Sequence, residues 1–94
     1  MNFEKVLYSD LGLNNREIDL ISKCENFGQL NHNHKNLITY LEDETFLDEL
    51  NYKDNISLVI VKEELKNNLK HEYIVKDEPQ VIFWTLYDAY SNQE

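Results

Sequence analysis

The stretch that most constrains this chain is Ile56-Ser57-Leu58-Val59-Ile60-Val61, apolar at every position but Ser57 and mostly β-branched. A strand with only one face buried alternates apolar and polar residues. A strand apolar on both faces must be covered on both, as in a parallel sheet flanked by helices. The neighbouring segments fit that demand. Leu37-Ile38-Thr39-Tyr40-Leu41 reads as a strand. Asp43 follows as an N-cap, with Glu44 in the first turn, where the helix dipole favours an acid. Phe46, Leu47 and Leu50 then share one face of a short helix that ends at Lys53-Asp54-Asn55.

After the apolar strand, Glu63 to Leu69 gives a second short helix with Leu65 and Leu69 at i, i+4, and Tyr73-Ile74-Val75 gives another strand. Asp77-Glu78-Pro79 starts a helix, with an acidic cap and Pro in the first turn, that runs to about Ser91. From residue 37 the order is strand, helix, strand, helix, strand, helix. That alternation defines an α/β fold: a small, mostly parallel or mixed sheet with helices on both faces. Upstream the pattern is weaker. Val6, Leu7 and Leu11 suggest a weak amphipathic helix over 3–11, broken at Asn14-Asn15. Ile18, Leu20 and Ile21 suggest a strand over 16–24, and Phe27 to Asn36 a polar loop with Gly28 as a turn residue.

A chain of 94 residues is one domain, 1–94, burying about 60–65% of the surface that it exposes unfolded. Shallow or edge sites are expected rather than a deep enclosed one. Net charge is −9, and the nine basic residues are dispersed. Such a field repels phosphate backbones and anionic lipid, so nucleic acid and membrane surfaces are poor partners, although backbone N–H groups can still hold a small anion. There is no apolar run approaching a membrane span and no signal-peptide pattern, and a single cysteine forms no internal disulfide. These features point to a soluble, cytoplasmic protein.

Catalysis needs converging groups with tuned pKa values or an activated nucleophile. With glycine only at 12 and 28, the chain has no phosphate-binding loop, dinucleotide fingerprint or nucleophile elbow. Cys24 reads as a core or edge cysteine. His32-x-His34 lacks a third ligand at recognisable spacing, with His71 far along the chain, so no metal site and no cofactor are expected. Glu42-Asp43-Glu44 is explained by helix capping. The sequence therefore assigns no catalytic residue to this domain.

The segment Ile38-Thr39-Tyr40-Leu41-Glu42-Asp43-Glu44-Thr45-Phe46-Leu47-Asp48-Glu49-Leu50, the strand at 56–61, and Tyr73-Ile74-Val75-Lys76-Asp77-Glu78-Pro79 together carry a resemblance. In order and spacing they resemble the N-terminal domain of UDP-3-O-acylglucosamine N-acyltransferases and related bacterial sugar acyltransferases, lipid A enzymes among them. The likeness covers residues 37–90 well and 1–36 poorly. It implies a sheet similar to Mur ligase N-terminal domains, acting as a non-catalytic nucleotide-sugar recognition domain. The catalytic left-handed β-helix, which holds the acyl carrier protein, would lie C-terminal to these residues. Carried over, Tyr40 and Phe46 fall where two aromatics sandwich the uracil ring, and stacking of that kind is worth about 1–3 kcal/mol per base. Asp43 falls where the family has Asn. A carboxylate accepts the uracil N3–H but donates to no carbonyl. Thr45 replaces a family Lys, removing a cation, and Glu78 is inserted between the family's Asp and Pro. On the bland alternative, Tyr40 and Phe46 are core or edge aromatics and Asp43 is a cap alone.

A second reading comes from the last helix. Val81, Ile82, Phe83, Trp84, Leu86, Tyr87, Ala89 and Tyr90 cover more than the single stripe that a sheet-packed helix needs. Either some of these rings are half exposed, or the helix has a second contact surface. In the latter case the chain is a protein-interaction or assembly module without a small ligand, self-associating through Phe83, Trp84, Tyr87 and Tyr90.

Overall fold

A computed structural model describes residues 2–28 and 35–92. The chain opens with helices α1 (Lys5–Asp10) and α2 (Asn15–Ser22) and the short strand β1 (Asn26–Phe27). Strand β2 (Leu37–Leu41) leads through a 3-10 turn, Glu44–Phe46, into α3 (Leu47–Tyr52). Then come β3 (Ile56–Val61), a 3-10 helix at Glu63–Asn68, β4 (Tyr73–Val75) and α4 (Pro79–Ser91). The strands form one sheet in the order β1-β2-β3-β4, and every adjacent pair is parallel. The protein is an α/β domain with a parallel sheet covered on both faces, as the apolar strand requires.

Residues 16–24 correct the sequence reading. They are not a strand: Asn15–Ser22 is helical. The signal lies just upstream of the misleading isoleucines. The Asn14 side chain accepts from Glu17 N at 2.9 Å, and Glu17 returns a bond to Asn14 N at 2.9 Å, which together make a capping box. Glu17, Ile21 and Cys24 are all buried, at helical i, i+4, i+7 spacing. The preceding turn is a Schellman motif. Gly12 N–H donates to Ser9 O and Leu13 N–H to Tyr8 O, both at 3.0 Å, with Gly12 at φ +67°, where a Cβ would be strained. Phe27, expected to open a loop, instead joins Asn26 in the edge strand β1. The segment Glu63–Asn68 is helical as expected, but of the tighter 3-10 kind.

Side-chain alternation sorts the core into two halves. Ile38 and Tyr40 of β2, Leu58 and Ile60 of β3 and Ile74 of β4 face α1, α2 and α4, where Tyr8, Ile21, Phe27, Phe83 and Leu86 meet them. Leu37, Leu41, Val59 and Val61 face the other way, against Leu50 of α3 and Leu65 of the 3-10 helix. A register shift keeps this sorting in phase. Leu37 pairs with Ile56, but Ile38 pairs with Leu58, so Ser57 is left over. The Ser57 hydroxyl lies 3.1 Å from Asn36 Oδ1, and Asn36 sits at φ 56°, a region that asparagine tolerates. Both crossovers from β2 to β4 lie on the aliphatic side while the strand order advances one way, which a constant crossover hand requires.

Candidate functional site

In parallel sheets ligands bind off the carboxyl ends of the strands. Here that rim is built from the residues that follow the Leu41–Val61–Val75 row: Glu42, Lys62 and Lys76. Each rim residue has a distinct fate. Glu42 Oε1 accepts from Gln80 N at 3.3 Å, tying the β2 end to the first turn of α4. Lys76 Nζ donates to Gly12 O at 2.9 Å and pairs with Glu17 at 3.2 Å, clasping the β4 end to the α1–α2 turn. Lys62 is half buried and has neither hydrogen bond nor ion pair from its ammonium among the described residues.

The three sequence-derived ligand residues all belong to the β2 end of this rim. Tyr40, half buried, leaves β2 on the α4 face, with its ring centroid 4.9 Å from Phe83 and 6.3 Å from Trp84. Asp43 is exposed and extended; its Oδ1 accepts from Thr45 N at 2.8 Å. The capping role read from sequence is therefore real, and the second carboxylate oxygen remains for another donor. Phe46 closes the 3-10 turn with half its surface exposed. It belongs to neither core cluster and pairs with no other ring among the described residues. No ring contact joins Tyr40 and Phe46. Tyr40 is turned to the aromatic face, and the turn carrying Phe46 opens the crossover on the aliphatic face. A planar ligand meeting both must lie across the top of β2. The strand order never reverses, so the rim lacks the crevice that a reversal creates.

Cys24 and His71 behave as structural groups. The Cys24 thiol is buried 3.5 Å from Leu20 O, and burial pushes it up to about 11, far from thiolate at neutral pH. His71 Nε2 donates to Leu50 O at 2.9 Å, holding the 3-10 helix side against α3. His32 and His34 lie outside the described residues. Among the described residues no three His, Cys, Asp or Glu side chains gather to hold a metal ion. No helix there is long and apolar enough to cross a membrane.

Helix α4 resolves the surplus of apolar residues in its sequence. Phe83 and Leu86 are buried, Ile82, Ala89 and Tyr90 half buried, and Val81, Trp84 and Tyr87 exposed. Of the four residues assigned to self-association, Phe83 is thus inside the core, 1% exposed, and unable to meet a partner. Trp84 and Tyr87 stand edge to face, 5.5 Å apart, on the outer side. No family model, curated protein or solved structure matches this chain.

Proposed function

We propose that this domain is a non-catalytic recognition module that holds a nucleotide-sugar at the carboxyl rim of β2 for a bacterial acyltransferase, the acyl transfer belonging to a separate β-helix domain. The observation that carries this reading is Phe46. It is a large aromatic half in water without a core role, set just off the carboxyl end of β2, where a parallel sheet receives ligands. It lies in the turn capped by Asp43, three residues from that carboxylate and beyond the end of the strand that bears Tyr40. The base would rest on Phe46, its N3–H donated to the carboxylate oxygen that Thr45 leaves open, with the edge of Tyr40 on the α4 side. Acyl carrier protein would be met by the catalytic domain and not by this one. Titrating UDP-N-acetylglucosamine into the labelled chain should move the amides of residues 40–46, and Phe46→Ala should weaken binding by roughly tenfold, the worth of one stacked base. Amides that stay still at millimolar ligand remove the site.

The exposed pair Trp84 and Tyr87 favours a second reading, an assembly module that docks through the outer face of α4. In sedimentation, a dimer that Trp84→Glu dissociates supports it. A monomer at high concentration that still binds nucleotide counts against it.

A further inference from the structure

We infer that Lys62 is the phosphate-contacting residue of the rim, the group that lets so acidic a chain accept a nucleoside diphosphate. The inference rests on the proposed nucleotide-sugar site and adds the source of its positive charge.

Three facts converge on Lys62. It follows β3 directly, one strand from the Tyr40–Glu42 end of β2, in the row where Glu42 and Lys76 are already engaged. Its backbone remains extended (φ −76°, ψ 154°), so the side-chain alternation of Leu58 and Ile60 carries through to Lys62 and sends it to the α4 face, where Tyr40 also lies. Its ammonium is uncommitted among the described residues, unlike that of Lys76, which two oxygens hold. The acid next to it, Glu63, is bound by Lys66 at 2.6 Å, which lessens its competition for Lys62. The other lysines that flank the strands, Lys35, Lys53 and Lys70, stand at the opposite, amino-terminal ends of β2, β3 and β4. A base laid across the top of β2 therefore has one available cation beside it on the next strand, at the ~4.8 Å strand spacing. Ammonium–phosphate hydrogen bonds are charge-assisted and salt-sensitive, and uridine itself would not use them.

The test separates this claim from the site on which it rests. Uridine and UDP-N-acetylglucosamine are titrated into the full chain, into Lys62→Gln and into Lys53→Gln, with circular dichroism as the check on folding. The expected result is that the wild-type chain binds the sugar nucleotide roughly tenfold more tightly than uridine, with a margin that shrinks as salt rises. Lys62→Gln should erase that margin while leaving uridine binding intact, and Lys53→Gln should preserve it. If uridine binds but the margin is absent, or survives in Lys62→Gln, the role of Lys62 is overturned and the base site stands. If Lys62→Gln weakens both ligands equally, the residue supports the rim and does not meet phosphate. Failure of both ligands to bind the wild-type chain overturns both readings.

Discussion

The two faces of the sheet are built from different materials. On the α4 side, Phe3, Tyr8, Phe27, Tyr40, Phe83, Trp84, Tyr87 and Tyr90 form one continuous network of ring contacts, most of them edge to face. On the other side the buried core is aliphatic, with Leu37, Leu41, Leu50, Val59, Val61 and Leu65, and Tyr73 packs at its margin. Topology explains the contrast. The aliphatic side must be roofed by the β2–β3 and β3–β4 crossovers, residues 42–55 and 62–72, which have room for short helices and small anchors. The aromatic side is roofed by segments outside the crossovers: α1 and α2 before the sheet and the thirteen residues of α4 after it. Freed from spanning two adjacent strands, these helices can carry larger side chains and a thicker layer.

That difference can be broken by substitution. Phe83→Ala should cost about 3–5 kcal/mol in urea unfolding, and Leu50→Ala about 2–3, because a short crossover can settle into the space it loses while the ring network cannot. Equal costs would mean that the two layers are packed alike. The next effect sharpens the picture of the aromatic side through pH. Burial raises the Cys24 thiol from 9.0 in the unfolded chain to about 11. Above pH 9 the unfolded chain releases this proton first, so the stability that Cys24 contributes is complete below pH 9 and falls away toward pH 11. Cys24→Ala should flatten that alkaline decline by about 2 kcal/mol in denaturant titrations run across the window. A decline identical in both proteins would show that α2 opens before the sheet does. The smallest effect is Asn14→Ala, about 1 kcal/mol from losing the cap of α2. Hydrogen exchange should rise in α2 and not in α3, and a rise in both would erase the distinction between the faces.

Three of the four strands are legible in the sequence because they satisfy a local rule, which the two-residue β1 does not. Leu37–Leu41, Ile56–Val61 and Tyr73–Val75 carry β-branched or aromatic runs of strand length, and Pro79 marks the start of α4. Residues 16–24 read as a strand because Ile18, Leu20 and Ile21 imitate one, and because Glu17 makes the inward stripe look polar. Its burial is sensible only beside Lys76, which no local window contains. At the rim, the cap formed by Asp43 could be read from neighbouring residues. The direction of Tyr40 could not, since it is set by Phe83 and Trp84 from the far end of the chain. For the same reason the sequence could not say which aromatic residues of α4 face outward.

The Lys76 clasp has a consequence for how this molecule is made. Glu17 and Lys76 are 59 positions apart, and Arg16 reaches Tyr73 O across 57. Without residue 76, α2 carries a buried carboxylate that lacks its lysine counter-ion. The helices that precede the sheet are therefore held by a residue that follows its last strand, and the domain closes only when β4 is in place.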